Sequence, residues 1–186
     1  MNWLQKRKPI ERLVLVALFS TLTWVGANLR IALIPPVPFT LQNFMVIMAG
    51  ILLGPRDAVL SQLVYLLLGL AGVPVFSQGG GFSYILQPGF GFILGFVGAA
   101  AVVGSLARLL RKPTFWPCFG LSLTGMLFIY LIALPYLYFL NRLVLARPVG
   151  FVQLAAGLSP FLLGDLVKAF ALAGLIPPLW ARLQEL

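Results

Sequence analysis

The sequence predicts an all-α membrane protein: one integral membrane domain over residues 1–186, built as a bundle of six transmembrane helices with both termini in the cytoplasm. Three observations carry this. Of 186 residues, 61% are hydrophobic and 9% charged, against about a quarter charged in a soluble domain. Thirteen basic and four acidic side chains cannot solvate the surface of a chain this long, so lipid is the solvent for most of it. The apolar runs are long and continuous rather than short and alternating, which selects helices over a barrel, the other structure that satisfies its own backbone in hydrocarbon.

Taken in order, the runs and their breakers give spans at about 13–34, 41–53, 58–70, 89–106, 117–140 and 159–180. The first follows Lys6-Arg7-Lys8 and continues past signal-peptide length without a small-residue cleavage site, so it reads as a retained helix. The second stops at Gly54-Pro55. It and the third fall short of the roughly 20 residues of a perpendicular crossing, and are either extended by their flanks or partly re-entrant. With the N-terminus inside, the cytoplasmic segments hold Lys6, Arg7, Lys8, Arg12, Arg56, Arg108, Arg111, Lys112 and Arg182, and the outer segments only Arg30, Arg142 and Arg147. That bias obeys the positive-inside rule and places the C-terminus inside as well.

This orientation sends three unusual segments outward: the turn Pro35-Pro36-Val37-Pro38-Phe39, the uncharged Gly-rich stretch from Gly72 to Gly89, and the start of the last helix. A protein that captures solute from outside needs its site there. The chain has no long internal repeat, unlike the inverted-repeat transporters.

Several chemistries are excluded. There is no histidine and one cysteine, Cys118, so His-based acid–base catalysis, a structural zinc site and an internal disulfide are all ruled out. The net charge of +9 lies in loop clusters and forms no basic face for nucleic acid. No phosphate-binding loop with its lysine is present, so ATP hydrolysis falls to other subunits. Gly89-x-Gly91 is not a dinucleotide fingerprint, since the next glycine is Gly95 and no strand precedes it. Gly91, Gly95 and Ala99 form a small-residue stripe for close helix packing.

The sharpest signal is Asp165 and Lys168, three residues apart on one helix face and flanked by apolar sequence. A charge in mid-membrane costs on the order of 3 kcal/mol, so the pair demands a polar partner. Two readings fit: a ligand site with one acceptor and one cationic donor, or an ion pair that only neutralises itself. Thr40, Gln42 and Asn43 open the second helix, either as its cap or as part of the site. The stretch Ser77 to Tyr84, with Gly79, Gly80 and Gly81, is a mobile lid, a source of backbone donors, or a plain connection; Gln87-Pro88-Gly89 ends it.

In combination, Pro36-Val37-Pro38-Phe39-Thr40-Leu41-Gln42, the turn Gly54-Pro55-Arg56-Asp57-Ala58, the glycine stretch running into Gln87-Pro88-Gly89-Phe90-Gly91, and Gly164-Asp165-Leu166-Val167-Lys168 resemble the BioY family. These are the biotin-binding S components of energy-coupling factor (ECF) importers, and the resemblance runs in order over most of the chain. It implies an S-component-like six-helix subunit in a prokaryotic cell membrane that takes biotin from outside. It also implies two kinds of partner, a transmembrane coupling protein and two cytoplasmic ATPases. Asp165 and Lys168 match the family's Asp and Lys on the last helix and are expected to contact biotin. The family's Ala-x-x-x-Ala docking face on the first helix falls on Ala17 and Thr21, with the second small residue replaced. Where the family commonly has Gly-Pro-Thr-Gly, this chain has Gln87-Pro88-Gly89.

Biotin's ureido donors and carbonyl, apolar ring and carboxylate suit a site of one acceptor, one or two cationic donors and aromatic walls. The candidate biotin-binding set is Phe39, Gln42, Gly79, Gly80, Phe82, Tyr84, Gln87, Phe161, Asp165 and Lys168, with no catalytic residue, metal or cofactor. Three alternatives stand beside it: an S component for another vitamin, an intramembrane enzyme using Asp165, and a scaffold subunit that binds no small molecule.

Overall fold

A computed structural model describes residues 8–34, 37–110, 112–146 and 149–185. Lys6, Arg7, Pro35, Pro36, Arg111 and Arg147 lie outside them. The order is α1 (Pro9–Asn28), β1 (Arg30–Ile34), β2 (Val37–Thr40), α2 (Gln42–Leu70), a 3-10 turn (Phe82–Leu86), α3 (Phe90–Ala107), α4 (Phe115–Leu143), a short α5 (Phe151–Gly157) and α6 (Ser159–Glu185). Five of these helices are long and apolar enough to cross a membrane: α1, α2, α3, α4 and α6.

α2 is not one rod. Gly54 has φ 75° and ψ 176°, a conformation that needs a glycine, and Pro55 cannot donate the next helical hydrogen bond. The amide of Gln42 donates to the hydroxyl of Tyr65 at 2.7 Å, although a continuous helix would hold those residues about 35 Å apart. The arms 42–53 and 55–70 therefore run antiparallel, reversing at Gly54. The second and third apolar runs are thus the two legs of one helical hairpin.

The first helix ends earlier than its hydropathy suggests. α1 stops at Asn28, and residues 30–34 pair antiparallel with 37–40, with Arg30 opposite Thr40 and Ile31 opposite Phe39. The expected span to Ile34 is thus corrected. Apolar composition alone does not distinguish helix from strand, and the prolines at 35, 36 and 38 have no N–H for a helix to use.

α2 packs on α1 and α3, α3 on α4, and α4 on α6, whose middle also meets α2. The core is apolar: Val46, Ile47, Ala49 and Ile51 of the first α2 arm meet Ala99, Ala100 and Val103 of α3 and Leu172, Ala173 and Ile176 of α6. The small-residue stripe of α3 lies against α4, where a Cβ on Gly91 would come within 2.7 Å of Tyr136 and one on Gly95 within 2.9 Å of the Ile129 carbonyl.

The two ends of the bundle differ. At the reversal end, Arg12 of α1 chelates Asp57 through Nε–H and Nη2–H at 2.9 and 2.7 Å, and Gly104 of α3 packs on Gly54–Pro55. Trp180 lies there too, around one small cavity with Ile51, Ala107 and Leu110, so both ends of the described chain are at this end. At the opposite end lie the β1–β2 hairpin, the connection 71–89 and the polar part of α6.

The Gly104 contact gives a stability test. A Cβ there would lie 2.4 Å from the Pro55 nitrogen and 2.6 Å from the Gly54 carbonyl carbon, all backbone with no flexible atom to yield. Gly104→Val is expected to destabilise by about 1–3 kcal/mol or more, read as a lower thermal midpoint in detergent. Gly120→Val, where nothing lies within 4 Å, should leave the midpoint unchanged. Equal midpoints for both would mean that α3 does not press on the reversal.

Candidate ligand site

The site grows from one requirement, that Asp165 and Lys168 be satisfied inside an apolar helix. Both are buried, 4% and 5% exposed. Lys168 Nζ donates to Asp165 Oδ1 at 2.9 Å, to Asn43 Oδ1 at 2.9 Å and to the Thr40 carbonyl at 2.7 Å, and it stands 3.6 Å from the centre of the Phe39 ring. An ammonium has three donors, and all three are used. Asp165 Oδ1 also accepts from Asn43 Nδ2 at 2.8 Å, and Oδ2 accepts from the Tyr130 hydroxyl at 2.6 Å. A carboxylate offers about four acceptor positions, so three contacts leave room for one more donor.

Each partner is delivered by a feature of the local fold. The β1–β2 hairpin returns the chain to α1, with Leu41 N donating to the Gly26 carbonyl at 3.1 Å, and so brings Phe39 and Thr40 over α6. Phe39 fits against Gly164, where a Cβ would meet its ring at 2.3 Å, and its centroid is 6.0 Å from that of Phe161. Asn43, one residue inside α2, faces α6.

A cavity opens beside this cluster. Val37, Phe39, Thr40, Gln42, Asn43, Ser77, Tyr84, Gly89, Phe92, Ile93, Phe96, Met126, Ile129, Tyr130, Phe161, Asp165 and Lys168 all line it. Its walls are mainly aromatic and aliphatic, with a few convergent polar groups, the composition of a small-molecule site. Gln42 is fixed at both ends of its amide: Thr40 Oγ1 donates to its Oε1 at 3.0 Å, and its Nε2 binds Tyr65. Tyr65 in turn donates to the Val75 carbonyl at 2.9 Å. Tyr84, 4% exposed, lies 3.3 Å from Ser77 Oγ. Burial pushes its phenol above the usual range, against the opposing pull of Ser77, the Gln78 backbone and the charge of Arg30, so it stays protonated.

Of the ten candidates from sequence, six meet here: Phe39, Gln42, Tyr84, Phe161, Asp165 and Lys168. Four do not line the cavity. Phe82 is 75% exposed, and Gln87 is exposed beside Gly89, which takes the lining position. Gly79 has open space around it, and Gly80 packs on the Val73 carbonyl, 2.2 Å from its would-be Cβ. The glycine stretch builds the roof without forming the wall: Gly81 N donates to the Gly69 carbonyl at 2.7 Å, and Phe76 bridges to Gly79. Ala17 and Thr21 lie on the exposed face of α1, far from the cavity.

Sequence reasoning missed Tyr130, and it left Asn43 undecided between cap and site. Both had a signal, since a polar side chain inside an apolar span must find a buried partner, and Asp165 needed partners in turn.

Comparison with known proteins agrees with this geometry. The family model described as "BioY family" matches residues 2–185. A probable biotin transporter BioY of Lysinibacillus sphaericus is 47% identical over 133 residues, covering 72% of this chain and 67% of that one. A probable biotin transporter BioY of Pyrococcus horikoshii is 43% identical over 157 residues, covering 83% and 87%. Thermotoga maritima has a biotin transporter BioY 34% identical over 161 residues, covering 86% and 89%. The crystal structure of the S-component for biotin from an ECF-type ABC transporter superposes with a TM-score of 0.78 at 26% identity, over 92% of both chains. With the buried Asp–Lys cluster, the cavity beside it and these matches taken together, the chain belongs to the BioY family.

Proposed function

We propose that this chain is the membrane-embedded S subunit of an ECF-type importer and that it captures biotin from the outer side of a prokaryotic cell membrane. The observation that carries the reading is the cluster of Asp165, Lys168, Asn43 and Tyr130 opening into an aromatic cavity. Asp165 has an acceptor position for a ureido N–H. Lys168 can exchange its hydrogen bond to Asn43 Oδ1 for one to the ureido carbonyl while keeping Asp165. Asn43 has a second amide hydrogen for the same oxygen, and Phe39, Phe92 and Phe161 flank the apolar ring. The intramembrane-enzyme reading would need a second proton-transfer group at Asp165, and the tyrosine and lysine around it are both committed as its donors. Mass spectrometry of small molecules released from the purified protein is the test. Biotin should appear in near-stoichiometric amount after growth with the vitamin; a different vitamin, or none after loading with biotin, would sink the assignment.

The two arms of α2 each serve as a crossing, which makes six, with both termini cytoplasmic. Lys8, Arg12, Arg56, Arg108, Lys112 and Arg182 belong to segments that meet the reversal end, in keeping with the positive-inside rule. In a variant lacking the buried Cys118, a cysteine at Gln78 should label with an impermeant reagent from outside, and one at Lys112 only after permeabilisation. Labelling of both from outside would break the six-crossing model. In this orientation the site faces outward, and a coupling protein with two ATPases supplies the energy, the first of them docking at Ala17 and Thr21.

A further inference from the structure

Arg30 is a cation on the side where this topology disfavours cations, and it has a place in the fold that charge bias does not explain. Its backbone pairs across the hairpin with Thr40, whose carbonyl holds Lys168. Its guanidinium donates through Nη1 to the carbonyl of Ser77. Thr40 and Ser77 both line the cavity, so two separate contacts tie Arg30 to the rim. Arg30 itself stands just outside the lining, held by partners that belong to it. The other described cation of the outer segments, Arg142, instead donates to Tyr138 one turn back on α4, which does not line the cavity.

The cavity has two polar groups of different origin. Asp165, Lys168, Asn43 and Tyr130 come from α6, α2 and α4, while Ser77 and Tyr84 come from the 71–89 connection, with Arg30 above them. The first group carries one acceptor and one ammonium side by side, which suits a neutral group bearing both donors and an acceptor. It does not suit a free carboxylate, because Asp165 would repel it. Biotin carries its ureido ring and its carboxylate at opposite ends of a flexible alkyl chain. With the ureido ring at Asp165, the anionic end needs a cation elsewhere. A guanidinium has five donors in a rigid fork that matches a carboxylate, and Ser77 takes one.

We infer that Arg30 is the residue that reads the ligand's carboxylate, holding the anionic tail at the outer rim beside Ser77 and Tyr84 while Asp165 and Lys168 hold the other end. This rests on the biotin reading above and assigns Arg30 a role in specificity for an acid over its neutral derivatives.

Calorimetry with biotin and with biotinamide, its uncharged analogue of nearly the same shape, tests it on Arg30→Gln. The side chain is exposed, so folding should survive. Biotin affinity should fall on the order of tenfold, the worth of a charge-assisted hydrogen bond. Biotinamide affinity should stay as in the parent, so the preference for the acid collapses, while Arg30→Lys keeps part of it. Equal loss for both ligands would mean that Arg30 only props the Ser77 segment, and an unchanged preference would mean that it touches no carboxylate; either overturns the inference. A parent protein that binds the two ligands equally would overturn it and leave the biotin reading standing. Binding of neither would remove both.

Discussion

Asp165→Asn combined with Lys168→Met is expected to give a protein that inserts, folds and has lost biotin binding by at least about a hundredfold. Neither single change decides the matter. Asp165→Asn alone strands an ammonium among Thr40, Asn43 and Phe39, and Lys168→Met alone strands a carboxylate beside Tyr130 and Asn43. Each leaves a charge in a low-dielectric interior, which destabilises whatever the pair is for. Removing both together takes away the charges but leaves a polar group at 165 for Asn43 and Tyr130 to meet. If the pair served only to neutralise itself, affinity would stay near the parent's. If it reads the ureido group, two charge-assisted hydrogen bonds of roughly 1.5–3 kcal/mol each are lost, and a hundredfold is the lower end of that range. The measurement is titration calorimetry on a double variant shown by size-exclusion chromatography and thermal midpoint to be folded. Near-parental affinity would make the pair a folding device and leave Gln42, Tyr84 and the aromatic walls to carry recognition.

The helical class and the need of Asp165 and Lys168 for polar partners were legible because both follow from the cost of polarity in lipid, which composition and position report directly. The end of α1 was not. Residues 30–34 are apolar enough to continue a helix, and only the prolines beyond them, together with a partner strand at 37–40, favour an extended chain. The reversal at Gly54 was legible as a break, but its sharpness was not. That depends on a positive φ at Gly54 and on Gly104 lying against it, a contact fifty residues away in sequence. Gly79, Gly80, Phe82 and Gln87 do not line the cavity, for one reason: their segment turns outward or packs onto itself, and offers the cavity Ser77, Tyr84 and Gly89. Tyr130 shows the converse. It is one of several polar side chains on α4, among them Ser122, Thr124, Tyr136 and Tyr138, and what singles it out is the packing of α4 against α6, which brings its hydroxyl to Asp165.

Ala17→Trp should abolish transport and copurification with the coupling protein while leaving biotin affinity within about twofold of the parent, since it touches nothing that lines the cavity. α1 turns Val16, Phe19, Ser20 and Thr23 inward, and Ala17 and Thr21 are both exposed one turn apart on the opposite face. The hydroxyl of Thr21 donates to the Ala17 carbonyl at 2.9 Å, so it is satisfied within its own helix, and the two positions present short side chains among the larger exposed Leu13, Val14, Leu18 and Val25. That is the surface on which another helix can approach closely in lipid, where association depends on packing. An indole at Ala17 fills the approach, yet in the isolated subunit it simply faces lipid, so folding has no reason to change. Thr21→Ala should keep or improve assembly, because it restores the flatter Ala-x-x-x-Ala pattern, whereas Thr21→Trp should repeat the loss seen with Ala17→Trp. The paired readouts, uptake of labelled biotin by whole cells and calorimetry on the purified subunit, separate docking from capture. A tryptophan variant that assembles and transports normally would clear this face of any part in coupling, and parallel loss of transport and binding would place the defect in the fold of α1.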